Sequence, residues 1–230
     1  MSEPLRIALV GATGLIGGAV IEACTGRSDI RLTAIARREV RLPEGARMDL
    51  LVAEPVGWER AIAAARPHVL VCALGTTWRA AGKVEAAFRA VDEALVLECA
   101  RAARAAGATR MVVVSSVGAD LASRTFYLRV KGEVEAQLGK LGFARLDIVR
   151  PGLLTGARGG APRVGERMAM LASPFADVLL HGQYRRYRSI GADVVARAIL
   201  GLSHEKAPGK FVHEHDALLR AARRDRERTR

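Results

Sequence analysis

The apolar run Leu5-Arg-Ile-Ala-Leu-Val10 ends on Gly11-Ala-Thr-Gly14-Leu-Ile-Gly17-Gly18, and this junction constrains the fold more than any other stretch. The run reads as a buried strand, and Gly14 to about Thr25 as a helix. Glycines at such a turn let the backbone bend sharply and come close to a ligand. The first turn of the helix leaves N–H groups unpaired, and they suit a pyrophosphate. Gly11, Thr13, Gly14, Leu15, Ile16 and Gly17 are therefore the first candidate binding residues.

Strand and helix patterns then alternate. Strands are expected at 31–36, 46–50, 68–74, 110–114, 144–149 and 210–215, the third ending near Asp49. Helices are expected at 58–65, 84–106, 123–141 and 164–171, with another introduced by residues 190–196 and capped by Asp193 or by the preceding turn. This β-α-β rhythm implies an α/β chain: a doubly wound parallel sheet, or Rossmann fold, in three α/β/α layers. After Pro151 the rhythm loosens, and 156–162 reads as a loop. Residues 1–216 are expected to form one nucleotide-binding domain, with a small substrate-side extension from about 153 onward. The basic tail 217–230 lacks an evident apolar period and is expected to be disordered.

Composition excludes several classes. No apolar run approaches the roughly 20 residues of a membrane span. The N-terminal segment lacks a signal-peptide pattern, so a cytoplasmic location is expected. Cys24, Cys72 and Cys99 lie far apart and form no Cys-x-x-Cys pair. They read as buried fillers rather than as a disulfide or zinc framework. The net charge is +12, carried by 31 Arg and 5 Lys. Six arginines against Asp225 and Glu227 put +4 of it in the tail. Nucleic-acid binding is a minor reading of that charge.

Ligands of open parallel sheets sit at the carboxyl ends of the strands. At the end of the second strand, where an acid would hold the ribose of NAD, the chain has Arg37-Arg38. Guanidinium forks match a 2′-phosphate, so NADP(H) is favoured over NAD(H). Asp49-Leu50 are candidates for the adenine side, with loop capping by Asp49 an equal reading, and Leu74-Gly75-Thr76 are candidates for the ribose and nicotinamide side. Tyr127 and Lys131 stand at i and i+4 on a helix, after the strand-end pair Ser115-Ser116. A phenol next to an ammonium can have its pKa drawn from about 10 toward neutrality, which makes a proton-transfer site.

With these parts in order, residues 5 to about 155, and more weakly to about 216, resemble the short-chain dehydrogenase/reductase superfamily. Leu74-Gly-Thr-Thr77, Val114-Ser-Ser-Val-Gly-Ala-Asp120 and Tyr127-Leu-Arg-Val-Lys-Gly-Glu133 look like its atypical branch, the Tat-interacting-protein-like oxidoreductases. The resemblance implies hydride transfer to a carbonyl or related small molecule. Tyr127 would be the general acid. Lys131 would tune it and bind the nicotinamide ribose. Ser116 would hold the carbonyl, and Ser115 the strand end. Arg150-Pro151-Gly152-Leu153 would pass the nicotinamide. Gly75-Thr76-Thr77 replaces the Asn-rich turn of typical members, so an Asn-Ser-Tyr-Lys relay is not expected. The alternative is a non-catalytic NADPH-binding regulatory or sensing protein. A monomer or homodimer is expected.

His213-Glu214-His215-Asp216 could place two histidines on one strand face, but no third ligand is near and no metal is expected. His181 is read as a loop residue near the substrate side. Tyr184 and Tyr187 among Arg185, Arg186 and Arg188 form a basic-aromatic cluster, read as an edge strand or as a binding patch.

Overall fold

The structure, a computed structural model, describes residues 3–156 and 180–229. Seven strands lie in one sheet: β1 (Leu5–Val10), β2 (Ile30–Ala36), β3 (Asp49–Val52), β4 (Val69–Cys72), β5 (Arg110–Val114), β6 (Arg145–Val149) and, last in the chain, β9 (Gly209–His213). Their order is β3-β2-β1-β4-β5-β6-β9, and every pairing is parallel. The order reverses between β1 and β4, and that switch point opens a crevice at the carboxyl edge. Two short strands, β7 (Leu154–Thr155) and β8 (Ile190–Gly191), pair separately beyond that edge.

Helices cover both faces. Helix α1 (Leu15–Cys24) packs on one face with two later helices, α6 (Ala192–Ser203) and α7 (His215–Arg228). Their core includes Leu9, Val20, Ile199 and Leu218. The other face carries α2 (Trp58–Ala65), α3 (Glu85–Arg89), a π-helical turn (Ala90–Leu95), α4 (Val96–Ala105) and α5 (Phe126–Leu138). There the core includes Ile35, Ile62, Phe88 and Ile148. In the central strands, residues 7–10 of β1 and 69–72 of β4 are buried on both faces, which is why those stretches read as apolar runs.

Several expectations are corrected. The tail is not disordered through 228: α7 runs along it and buries Leu218, Ala221, Ala222 and Asp225. Its apolar stripe is mostly alanine and therefore faint in the sequence. Strand β3 begins at Asp49 rather than ending there. The single helix expected over 84–106 is interrupted by the π-turn. Of the two caps expected for α6, the preceding residue Gly191 is the N-cap, and Asp193 sits in the first turn without a capping hydrogen bond. Residues 182–187 form a 3-10 turn, not an edge strand. The helix expected over 164–171, and the loop before it from 157, lie outside the described residues.

Candidate cofactor and proton-transfer site

A cleft of about 470 Å³ lies over the switch point, lined by Gly11, Thr13, Gly14, Arg37, Leu74 and Gly75 among others. Two of the turn's glycines, Gly11 and Gly17, have no room for a side chain. A Cβ on Gly11, whose φ is +89°, would stand 2.5 Å from the Ala73 carbonyl, and one on Gly17 would stand 2.1 Å from the Gly11 oxygen. The turn thus packs main chain against main chain. Gly14 caps α1 with no side chain on the first-turn N–H groups, so a cradle for an anion stays open. Leu15 lines a neighbouring groove, whereas Ile16 turns into the core and has only its main chain to offer.

The far end of the cleft is formed differently from the sequence expectation. Asp49 pairs with Thr33, well back from the carboxyl edge, and its carboxylate meets Arg31 at 3.4 Å on the surface. Leu50 packs partly against the core beside Ala34. Pro55, Trp58, Leu95 and Glu98 line that end instead. The Trp58 indole N–H donates to the Ala53 carbonyl at 2.8 Å, which fixes the ring there. Arg37 lines the cleft, and Arg38 lines the adjoining groove with Thr13 and Gly14.

Tyr127, Lys131 and Glu135 lie one helical turn apart along α5. Lys131 is only 6% exposed, and its Nζ meets Asp92 Oδ1 at 2.8 Å. The other Asp92 oxygen accepts the Thr76 backbone N–H at 2.7 Å. Burial works against the Lys131 charge. Asp92 and then Tyr127 more than offset it, and the ammonium is held above its ordinary pKa. Gly75 lies against this pair: a Cβ there would be 3.6 Å from Asp92 Oδ1 and 3.9 Å from Lys131 Nζ. The cleft floor and the lysine are therefore in contact. The Tyr127 ring packs edge-on against Phe88 with centroids 5.6 Å apart.

Glu135 ties the two strand ends together. Ser115 Oγ donates to Glu135 Oε1 at 2.5 Å, and Arg150 Nε donates to the same oxygen at 2.9 Å. Arg150 Nη2 donates to Glu135 Oε2. The Glu135 hydrogen bond is the leading cause that raises the Arg150 pKa. Ser115 is thereby occupied. Ser116 makes only a 3.3 Å bond to the Val117 carbonyl. The Val117 N–H donates to the Pro151 carbonyl at 3.2 Å, so Ser116 sits beside the segment Pro151-Gly152-Leu153. A Cβ on Gly152 would be 2.4 Å from the Arg188 carbonyl, so this segment lies flush against the residues after the 3-10 turn.

Asp92 and Glu135 are two residues of this candidate site that the motifs did not point to. The only signal was an acid at each place on an otherwise buried helical face. The two histidines lie on different elements, each against its own aspartate. His213 closes β9 and binds Asp147 at 2.7 Å, while His215 opens α7 and binds Asp216 at 3.0 Å. Among the described residues no group of three His, Cys, Asp or Glu could hold a metal ion. His181 is exposed just before the 3-10 turn. Arg186 stacks over Tyr187 at 5.0 Å, and Arg185 pairs with Asp216 at 3.3 Å. All three cysteines are buried, and burial pushes their thiols up, Cys72 to about 11.

Residues 11–174 match the family model described as NAD(P)H-binding. The chain belongs to this NAD(P)H-binding family. A relative of this NAD(P)H-binding protein in Aspergillus fumigatus, named protein fmp52, mitochondrial, is 34% identical over 200 residues, 84% of each chain. The Saccharomyces cerevisiae protein of that name is 35% identical over 160 residues, covering 68% of this chain and 69% of the other. These mitochondrial names overturn the cytoplasmic expectation. Among solved structures, MoeE5 with UDP-glucuronic acid and NAD has a TM-score of 0.69 at 14% identity, covering 90% of this chain and 75% of that one. WbmG of Bordetella bronchiseptica with NAD and UDP has a TM-score of 0.64 at 18% identity, covering 96% and 79%. At such identities the likeness is one of fold. Among the described residues no helix is long and apolar enough to cross a membrane.

Proposed function

We propose that the chain is an NADPH-dependent oxidoreductase that reduces a carbonyl or related small molecule, with Tyr127 as the proton donor. The observation that carries this reading is Lys131: buried, ion-paired to Asp92, against Gly75 of the cleft, and one helical turn from Tyr127. The narrow glycine turn and the open N-terminus of α1 fit a dinucleotide pyrophosphate. When bound, the reduced dinucleotide supplies the hydride. Tyr127 gives its phenolic proton to the carbonyl oxygen as that oxygen becomes a hydroxyl. The Ser116 hydroxyl donates a hydrogen bond to the same oxygen and holds it in place. Lys131 holds the positive charge beside the phenol. Leu153 and the Tyr184–Tyr187 turn, on the far side of Pro151-Gly152, supply exposed apolar and aromatic surface for a substrate.

Arg37 and Arg38 support the choice of NADPH. Among the described residues neither forms an ion pair or hydrogen bond, and each lines a cavity that shares Thr13 and Gly14. Their forks are therefore free to take a 2′-phosphate. The relatives' names support a mitochondrial location.

Titration of the purified protein with NADPH and NADH, followed by nicotinamide fluorescence, tests the cofactor. NADPH is expected to bind tighter, and Arg38→Ala to weaken NADPH about tenfold or more while changing NADH little. Equal affinities for the two in the wild type would sink the preference. NADPH oxidation with a panel of aldehydes, ketones and quinones tests the reaction. NADPH binding without turnover on any of them favours the sensing protein instead.

A further inference from the structure

Among the described residues that line the cleft over the switch point, Glu98 of α4 alone carries a carboxylate. Asp49, the acid expected there, stands back from the carboxyl edge against Arg31. Glu98 is exposed, and its carboxylate has no hydrogen-bond or ion-pair partner among the described residues. Leu95 precedes it by three residues, so the helix puts both on one face. Pro55 and Trp58 line the same cleft. The Trp58 N–H is already spent on the Ala53 carbonyl. The Ala53 N–H in turn donates to the Ala36 carbonyl at 3.0 Å, next to Arg37. Trp58 is thus tied to the strand end that bears Arg37, and a base attached to a ribose at Arg37 belongs at this end of the cleft. A second cavity of about 440 Å³ shares Pro55, Trp58, Leu95 and Glu98 with the cleft. Glu98 therefore stands where the two cavities join.

We propose that Glu98 is a specificity-determining residue that accepts a hydrogen bond from the 6-amino group of adenine, so that the cleft selects its dinucleotide by the base as well as by the phosphates. This rests on the reading of the cleft as an NADPH site. The chemistry of the base decides the match. Adenine's 6-amino group is the donor on its polar edge, and its unsubstituted ring nitrogens only accept. A carboxylate also only accepts, so it pairs with the amino group and with nothing else on that edge. Leu95, Pro55 and the fixed indole supply apolar surface for the faces of the ring. A purine with an oxygen in place of the amino group would set two acceptors against each other. Selection then comes from that repulsion as well as from the lost hydrogen bond.

The test compares NADPH with its hypoxanthine analogue, in which the 6-amino group is replaced by oxygen. Both carry the same reduced nicotinamide, so one fluorescence titration reads both. The wild type is expected to bind NADPH about tenfold tighter than the analogue. Glu98→Ala should bring the two affinities within about twofold of each other, chiefly by weakening NADPH. Glu98→Gln offers an amide N–H to the oxygen, and should bring the analogue level with NADPH or ahead of it. Because Glu98 is exposed, these changes leave the core intact, and a ratio of two ligands is insensitive to a uniform loss of binding. A wild-type ratio within about twofold, or a Glu98→Ala ratio as large as that of the wild type, overturns the proposal while the NADPH reading stands. If neither dinucleotide binds the wild type, both fall.

Discussion

Gly17 has no room for even one carbon, because a Cβ would land 2.1 Å from the Gly11 oxygen. Gly17→Ala must therefore push α1 away from the turn. NADPH affinity is expected to fall at least about tenfold, with stability lowered by about 1–3 kcal/mol, read by fluorescence titration and urea unfolding. Tyr127→Phe behaves differently: it removes one hydroxyl from a half-buried ring and leaves the cleft alone. Turnover should drop by about 10²–10⁴-fold while NADPH affinity changes less than about twofold. The glycines and the Tyr127–Lys131 spacing were legible because each is a local pattern. Asp92 and Glu135 were not, because their meaning lies in partners far along the chain: Lys131 for one, Ser115 and Arg150 for the other. In an Ala-rich helix an acid reads as a solvated face until the fold shows it buried.

Helix α7 is the element where local pattern misled most. Its buried positions 218, 221, 222 and 225 follow helical spacing, but two are alanines and one is an aspartate. Asp225 is fully buried and takes Arg27 Nη1 at 2.6 Å, from the turn between α1 and β2. Arg27 also grips Asp29 through Nε and Nη2, at 2.9 and 2.7 Å. Asp225→Ala would leave Arg27 without its buried partner and should cost about 3–5 kcal/mol in urea unfolding. Glu227→Ala, on the exposed face, should stay within about 0.5 kcal/mol. The start of β3 was misplaced for a related reason. Its apolar run is Leu50-Leu51-Val52, and Asp49 belongs to an exposed pair with Arg31. The π-turn left no trace in the sequence at all, and neither did the pairing of its Asp92 with Lys131 of α5.

At the scale of the whole molecule, acid weakens the fold in two stages. His68 accepts the Arg6 backbone N–H on Nδ1 at 3.2 Å, which requires a neutral ring on that nitrogen, and burial, then Arg6, lower its pKa. Burial, then Arg228, also lowers His204, although Asp29 lies 3.2 Å away and pulls the other way. For both, the folded pKa lies below the unfolded value near 6.5. The stability they contribute is complete above about pH 6.5 and is lost as pH falls from there through the folded values. Asp29 is lowered first by its hydrogen bond to Arg27, so its share is present above about pH 4 and lost as pH falls through the folded value. Tm should therefore drop between about pH 7.5 and about pH 5, and His68→Asn with His204→Asn should flatten that drop in a thermal-shift series. Parallel order and layering were legible at this scale, since the β-α-β rhythm spans the chain. The docking of the last helix was not. That docking has a consequence for proteolysis. Helix α7 carries Arg220, Arg223, Arg224, Arg226 and Arg228, each a bond trypsin would cut once the helix lifts off. It rests on α6, α6 rests on α1, and α1 opens at the glycine turn. If all three open as one unit, NADPH at about 100 times its Kd withholds about 2.7 kcal/mol from that opening, and cleavage of the tail slows about a hundredfold. If the tail lifts by itself, NADPH leaves its cleavage rate unchanged, so the rate of tryptic trimming measures how far cohesion spreads from the nucleotide cleft.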